Sequence, residues 1–183
     1  TCEGYDCGEA DQYFSLLKLS DQAIEYLITY FRQVDEPTMI VMFGDHSPKL
    51  PDEFETWIAG DAYDDLPVET QEKFYGTPFF IWTNYHMESK DNVWTSTNYL
   101  SSMVLELTGL ELAPYNEYLL DLQEKIPALN HLGYMDARGT WRRWADADGV
   151  TLELEREYEC LQYNELMDSQ NRADEFFKIK PEE

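Results

Sequence analysis

The stretch TMIVMFGDHSP, Thr38 to Pro48, decides the fold that the sequence predicts. Residues 39–43 are apolar without alternation, which is typical of a strand buried on both faces in a parallel sheet beneath helices. Gly44 then allows the backbone to turn sharply where the strand ends. Asp45 and His46 would therefore lie at the carboxyl edge of the sheet, where open α/β folds bind their ligands.

The adjacent Asp45 and His46 are candidate ligands for a metal ion. A carboxylate oxygen beside an imidazole nitrogen suits a divalent transition metal, although two ligands do not complete a site. Together with Gly44 the same residues also fit a simple strand-end turn, because Gly and Asp commonly occupy turns. Both interpretations are compatible with these residues taken alone.

Further segments, taken together with this turn, resemble the lipoteichoic acid synthase family. The resemblance is carried by FGDHSP at residues 43–48, SLLKLSDQAIEYLITYF at 15–31, TPFFIWTNY at 77–85, STNYLSSMVLELTGLELAPYNEYLLDLQEKIP at 96–127 and ECLQYNELMD at 159–168. The family comprises phosphoglycerol transferases of the sulfatase and alkaline phosphatase superfamily. The likeness runs in order over nearly the whole chain. It implies an α/β fold, with part of an alkaline phosphatase/sulfatase-like sheet flanked by helices and followed by a C-terminal hairpin and helix.

The resemblance also implies a reaction. A hydroxyl nucleophile would attack the phosphodiester of phosphatidylglycerol at a single divalent metal, with Mn²⁺ expected first and Zn²⁺ or Mg²⁺ as alternatives. Such an ion lowers the pKa of the hydroxyl and neutralises charge that develops on the phosphoryl group. The implied ligands are a Glu, the nucleophilic Thr and an Asp-His pair, which Asp45 and His46 match.

The implied Glu and Thr motifs do not occur in this sequence, and neither do the His and Arg motifs that would hold glycerol phosphate. We therefore expect the chain to contain no catalytic nucleophile and to be inactive by itself. The resemblance makes residues 1–128 the C-terminal part of a sulfatase-like catalytic domain and residues 129–183 a hairpin and helix that pack on it. The remainder of the protein, with N-terminal membrane helices, would place the domain at the extracellular face of a bacterial membrane.

Two other functions remain compatible with the sequence. One is a hydrolase of phosphate or sulfate esters in the same superfamily, with water as the acceptor. The other is a non-catalytic acidic module of the cell envelope, in which Asp45 and His46 form only a structural turn.

Hydrophobic periodicity predicts the elements around this turn. A helix from Asp11 to about Arg32 carries an apolar stripe that should pack on the sheet. The stripe consists of Tyr13, Leu17, Ile24, Leu27, Ile28 and Phe31. The acidic residues 48–76 predict mainly a solvated loop. A second buried strand is predicted at 77–83. His86 after it is either a further metal or phosphate contact at the same sheet edge or a simple exposed or hydrogen-bonded histidine.

The C-terminal third of the sequence predicts helices after residues 95 and 114, because Gly109 and Pro114 fit the end of one helix and the first turn of the next. Alternation from Gly133 to Trp144 predicts a hairpin, in which Arg142 and Arg143 are more plausibly solvated than phosphate-binding. A last helix should then dock on the rest of the chain through a set of apolar and aromatic residues. That set consists of Tyr158, Leu161, Tyr163 and Leu166.

Composition excludes some functions and leaves others open. The 183 residues carry 13 basic and 37 acidic side chains, a net charge of −24, so binding to nucleic acid is not expected. No apolar run approaches the 18 or so residues that a membrane span needs. Cys2 and Cys7 are close enough in sequence for a small disulfide, and unpaired thiols at Cys2, Cys7 and Cys160 are equally compatible with the spacing.

Overall fold

The computed structural model describes residues 4–179, which fold into two compact units. One unit ends at Asp91 and the other begins at Asn92. Both combine helices with a small sheet, so the predicted α/β class is confirmed. The predicted division at residues 128 and 129 concerns the extent of a catalytic domain and stays a prediction. The bridge between Cys2 and Cys7 that the spacing allows involves Cys2, which lies outside the described residues.

The first unit begins with a long helix and contains one pair of strands. Helix α1 is Gly8–Phe31 and strand β1 is Met39–Phe43. Helices α2, Asp52–Ala59, and α3, Val68–Lys73, flank a 3-10 turn at Tyr63–Asp65, and strand β2 is Phe79–Thr83. The acidic segment before β2 is therefore mostly helical, and only parts of it match the predicted loop.

Strands β1 and β2 are antiparallel, so the predicted parallel pairing is wrong. Met39 lies opposite Thr83, and Phe43 lies opposite Phe79. Helices α2 and α3 return the chain to the same end of the sheet at which β1 finished, whereas a parallel pair requires a crossover to the other end. Burial on both faces is also not observed, because the strand side chains are half-buried and Phe43 is 49% exposed. A continuous apolar run in the sequence does not show whether the partner strand is parallel or antiparallel. It also does not show whether both faces of the strand are covered.

Helix α1 has the predicted apolar periodicity, but its stripe is only partly covered. Ala10 is the one buried residue of the helix, while Leu17 and Leu27 are 42% and 41% exposed. The prediction that the whole stripe lies in a core is therefore wrong. A 24-residue helix is about 36 Å long, whereas a five-residue strand is only about 17 Å long, so this strand pair cannot cover it.

Asn84 fixes the connection between α1 and β1. Its amide Nδ2 donates to the carbonyl oxygens of Phe31, Val34 and Glu36 at 3.3, 2.9 and 2.9 Å. Its Oδ1 accepts a 2.8 Å hydrogen bond from the backbone N–H of Thr38. One side chain thus satisfies four backbone groups of a segment that has no regular structure, and it holds the start of β1 against the end of β2.

The second unit consists of helices around a three-stranded antiparallel sheet. Its elements are α4, Thr97–Thr108; α5, Pro114–Lys125; β3, Ala128–Leu129; β4, Gly133–Met135; β5, Trp141–Arg143; α6, Gly149–Leu166; and α7, Asp174–Phe177. Gly109 ends α4 with φ 69°, and Pro114 opens α5, both as predicted. The predicted hairpin is present as β4 and β5, and β3 extends it to three strands.

The core of this unit is rich in tyrosine. It is formed by Tyr99, Leu119, Leu122, Ile126, Tyr134 and Tyr158. Helix α6 contributes Tyr158 as predicted, but Tyr163 and Leu166 are 63% and 74% exposed and do not dock. Both residues lie in the last turn of α6, whereas the core contacts earlier residues of that helix. Helical spacing alone therefore predicted their burial wrongly.

Candidate metal and substrate site

The turn after β1 is held by the residues that precede β2. The Thr77 hydroxyl donates to the carbonyl oxygen of Gly44 at 2.9 Å, and the Gly44 N–H donates to the oxygen of Pro78 at 3.2 Å. A Cβ atom at position 44 would lie 2.7 Å from the Cβ of Thr77. Gly44 does not adopt a positive φ, so the turn requires glycine for space and not, as the sequence indicated, for backbone freedom.

Asp45 and His46 are oriented by hydrogen bonds within the turn. Asp45 Oδ1 accepts from the backbone N–H of His46 at 3.0 Å, and His46 Nδ1 lies 3.0 Å from the carbonyl oxygen of Ser47. Because that oxygen can only accept, Nδ1 carries the hydrogen in this arrangement. Nε2 of the neutral ring then presents a lone pair, which is the usual arrangement of a metal-binding histidine.

The free atoms of this pair have the spacing of a chelate. Asp45 Oδ2 lies 3.4 Å from His46 Nε2, and both side chains are more than three-quarters exposed. The same separation would be an ion pair if the ring carried a second proton. Ligands at metal bonds of about 2.0–2.2 Å in a tetrahedral site lie about 3.4 Å apart, so the spacing fits a divalent transition metal.

Asp45 and His46 would supply two ligands at most to a metal ion. Across residues 4–179, no group of three or more His, Cys, Asp or Glu side chains is placed to hold a metal ion. Structural and catalytic sites for such ions use three or four protein ligands. A metal ion bound by these two residues would therefore need further ligands besides them.

His86 does not join them. In the antiparallel pair, the end of β1 lies beside the start of β2, and His86 follows the other end of β2. Five residues of strand, about 17 Å, separate the two edges of the sheet. The interpretation of His86 as a contact at the same edge as Asp45 is therefore wrong because of the strand direction, and the alternative of an exposed histidine is confirmed.

An open cleft of about 900 Å³ adjoins the pair. Asp45 and His46 contribute to its wall, and the rest comes from the segment between β1 and β2. Its acidic lining residues are Asp45, Asp52, Glu55, Asp61 and Asp64, and Lys73 is the one Lys or Arg among the lining residues. The segment predicted as a loop thus builds a negatively charged cleft beside Asp45 and His46.

Two tyrosines that sequence reasoning did not single out form part of this wall. The Tyr63 hydroxyl donates to the Tyr75 hydroxyl at 3.3 Å. The ring of Tyr63 packs edge-on against Phe74 with centroids 5.8 Å apart, and its backbone oxygen accepts from Gln71 Nε2 at 2.7 Å. Nothing in the sequence signals this pair, because it depends on how α3 folds back between the two tyrosines.

The Arg142–Arg143 pair has a structural role at Arg142. Arg142 Nε donates to Asp136 Oδ2 at 2.7 Å across the hairpin. Slight burial of Asp136 raises the pKa of its carboxyl group. The bond from Arg142 and the backbone hydrogen bonds from Thr140 and Arg138 lower this pKa by more, so it lies below its usual value. Arg142 therefore stabilises the turn between β4 and β5. This agrees with the interpretation that the arginine pair does not bind phosphate.

Comparison with known proteins supplies the family. The model of the Sulfatase family matches residues 2–110, more than half of the chain. The chain belongs to the sulfatase family. The superfamily that the sequence resembles is thereby confirmed.

Two relatives of this sulfatase-family chain are informative. A putative cyclic beta-1,2-glucan modification protein of Rhizobium meliloti (strain 1021) is 26% identical over 188 residues, which cover 97% of this chain and 29% of that protein. The solved Streptococcus pyogenes phosphoglycerol transferase GacH, in complex with sn-glycerol-1-phosphate, has the same fold with a TM-score of 0.60 at 20% identity. That match covers 90% of this chain and 37% of GacH. The chain thus spans well under half the length of either relative.

Proposed function

We propose that this chain is the carboxyl-terminal part of a metal-dependent phosphoglycerol transferase that acts on phosphatidylglycerol-type lipid in the synthesis of a cell-envelope polymer. The observation that carries the proposal is the 3.4 Å approach of Asp45 Oδ2 and His46 Nε2 beside a substrate-sized cleft. The fold shared with a phosphoglycerol transferase supports the reaction class, and the relative named as a putative glucan modification protein supports a polymer as the acceptor.

In the proposed site, Asp45 and His46 hold a divalent ion, with Mn²⁺ favoured and Zn²⁺ or Mg²⁺ as alternatives. When bound, the ion supplies a Lewis acid that activates a hydroxyl and neutralises phosphoryl charge. The Ser47 carbonyl keeps the His46 ring in the tautomer that presents Nε2, and the backbone N–H of His46 keeps Asp45 Oδ2 free. These contacts reduce the side-chain freedom that metal binding would otherwise remove.

The remaining ligands and the nucleophile come, in this proposal, from an N-terminal part of the same protein. The exposed apolar residues of α1 support such a partner, because an apolar surface of this kind is usually covered. They are Phe14, Leu16, Leu17, Leu19, Tyr26, Leu27 and Tyr30. Among residues 4–179, no helix combines the length and apolar character that crossing a membrane requires. The proposed location at the extracellular membrane face therefore depends on anchoring helices in that N-terminal part.

A hydrolase of phosphate or sulfate esters is the second candidate, and the Sulfatase family match favours it. The same metal half-site would serve either reaction, with water in place of a polymer hydroxyl as the acceptor. The two differ in the fate of the group that is removed from the substrate.

The test uses the full-length protein with phosphatidylglycerol labelled in its headgroup and Mn²⁺ present. Wild type should release diacylglycerol and transfer labelled glycerol phosphate to polymer, whereas His46→Ala should do neither. His86→Ala is the matched control, since His86 is also exposed but lies at the other edge of the sheet. This chain alone should be inactive.

Two results would contradict the proposal. Near-normal turnover by His46→Ala would remove Asp45 and His46 from the site. Release of the label only as free glycerol phosphate, whatever acceptor is offered, would favour the hydrolase.

A further inference from the structure

We propose that Thr77 is a positioning residue for the ligand pair, Asp45 and His46, because its hydroxyl fixes the turn that carries them. The inference rests on the proposed function, which places a divalent ion on this pair, and it adds a residue that the ion does not touch. Thr77 acts through the backbone of Gly44, the residue that precedes the pair.

The ligand pair depends on the backbone of its turn for its position. Both side chains are more than three-quarters exposed, so packing does not hold them. Their hydrogen bonds run to the turn itself, from the His46 N–H to Asp45 Oδ1 and between His46 Nδ1 and the Ser47 oxygen. These bonds orient the two side chains within the turn, but they do not tie the turn to the rest of the first unit. The group that places the pair must therefore act on the backbone of the turn.

Thr77 makes a shorter hydrogen bond to the turn than its neighbours make. Its hydroxyl lies 2.9 Å from the Gly44 oxygen, within the normal range for an O–H donor, which ends at about 3.0 Å. The Gly44 N–H lies 3.2 Å from the Pro78 oxygen, and the Ser47 hydroxyl lies 3.4 Å from the Gly76 oxygen, so the bond from Ser47 is weak. The Thr77 hydroxyl is therefore the side-chain group best placed to fix the turn.

Holding the Gly44 oxygen also sets the position of Asp45. This oxygen belongs to the peptide unit that contains the nitrogen and Cα of Asp45, and that unit is planar. The donor is itself restrained, because Pro78 favours extended conformations for Thr77 and β-branching limits the χ1 angle of Thr77. The Thr77 side chain also packs directly on Gly44, since a Cβ added there would lie 2.7 Å from the Thr77 Cβ.

Metal binding requires this accuracy. The two ligating atoms, Asp45 Oδ2 and His46 Nε2, lie 3.4 Å apart, and a functional constellation tolerates errors of only about 0.5 Å. Residues that orient metal ligands without touching the ion typically change the metal affinity about 10–100-fold when they are replaced. Loss of the Thr77 hydroxyl should therefore weaken metal binding by about tenfold or more.

Thr83 provides a matched comparison on the same strand. Its hydroxyl donates to the carbonyl oxygen of Tyr85 at 2.8 Å, which is the same kind of bond as that of Thr77, but at the other end of β2. A role confined to stability would make the two threonines equivalent. A positioning role makes the metal affinity depend on Thr77 and not on Thr83.

The experiment measures the Kd for Mn²⁺ of the full-length protein by competition with a chelator, and urea unfolding of the metal-free protein. Thr77→Ala should raise this Kd about tenfold, whereas Thr77→Ser, which keeps the hydroxyl, should stay within about threefold of wild type. Thr83→Ala should bind Mn²⁺ as wild type does, even where it lowers the free energy of unfolding. If Thr77→Ala does not fold, Thr77→Val, which keeps the β-branched shape, takes its place.

The outcomes separate this inference from the proposed function. Equal Kd values in Thr77→Ala and Thr83→Ala would overturn the inference and leave the proposed function intact, and so would a Thr77→Ser variant that binds as weakly as Thr77→Ala. If the expected pattern is present while wild type releases no diacylglycerol from phosphatidylglycerol, the proposed function fails and the positioning role stands. A Kd for Mn²⁺ that His46→Ala leaves unchanged would overturn both.

Discussion

The Thr77 hydroxyl donates a 2.9 Å hydrogen bond to the carbonyl oxygen of Gly44 and so joins the chain before β2 to the turn after β1. The two residues are so close that a Cβ on Gly44 would lie 2.7 Å from the Thr77 Cβ. The position of Asp45 and His46 is therefore set by a contact between segments 33 residues apart in sequence.

Gly44→Ala should displace this turn. The added methyl overlaps the Thr77 side chain, so the backbone must shift, at an expected cost of about 1–3 kcal/mol in the free energy of unfolding. Urea unfolding measures the effect. Gly8→Ala is the control, because a Cβ at Gly8 meets no atom within 4 Å. Equal stability of the two variants would contradict the steric account.

Stability should depend on the hydrogen-bonding groups of the Asn84 side chain more than on its size. Asn84→Asp keeps the shape but replaces a donor that faces three carbonyl oxygens with an acceptor. We expect a loss of about 2–4 kcal/mol, since several backbone groups lose their partner at once. Urea unfolding with Gln33→Ala as control tests this, because Gln33 makes one long 3.4 Å hydrogen bond at the surface. A loss no larger than that of the control would show that Asn84 does not hold the connection.

The Asp136–Arg142 contact should make stability depend on pH at the acidic end. The pKa of Asp136 is lowered in the folded state, so its contribution is fully present above the unfolded pKa of about 3.9 and is lost as pH falls through the folded value. Asp136→Asn should remove that part of the acid dependence. Unfolding free energies measured from pH 5 to pH 2 check it, and identical slopes in variant and wild type would count against the contact.

The tyrosines in and around the core of the second unit should make the free energy of unfolding decrease at alkaline pH. Burial, followed by nearby Glu157 and Tyr158, raises the pKa of Tyr118 to about 12, and its hydroxyl has no hydrogen-bond partner among residues 4–179. Between pH 10 and that value the unfolded chain releases the proton first, so stability falls as pH rises.

Tyr118→Phe should therefore be neutral or stabilising at pH 7 and should reduce this alkaline loss, as measured by unfolding from pH 7 to pH 11. Strong destabilisation at pH 7 would instead reveal a needed hydroxyl contact.

The sequence predicted the parts of the fold that depend on local signals. The apolar run before Gly44 located β1, and Gly109 and Pro114 located helix ends, because strand burial and helix termini are read over a few residues. The direction of β2 could not be predicted, since it depends on how α2 and α3 return the chain between the two strands. The same missing fact left open the interpretation of His86 as a contact at the Asp45 edge, which the structure excludes.

The candidate site shows the same division. Asp45 and His46 were identified because they are adjacent in sequence and follow a strand. The individual residues of the cleft wall were not identified, because Tyr63 and Tyr75 meet only after α3 folds between them. Acidic residues such as Asp61 and Asp64 are also as common in solvated loops as in clefts. Side chains that tertiary structure brings together have no characteristic spacing in the sequence, so no sequence pattern predicts their contact.

The central claim is that Asp45 and His46 hold a metal ion together with ligands from the rest of the protein. Elemental analysis of the dialysed full-length protein tests it most directly, with Asp45→Asn, His46→Ala and the control His86→Ala. Wild type and His86→Ala should retain stoichiometric Mn²⁺ or another divalent metal, and the two turn variants should lose it while remaining folded. Full metal content in both Asp45→Asn and His46→Ala would contradict the account.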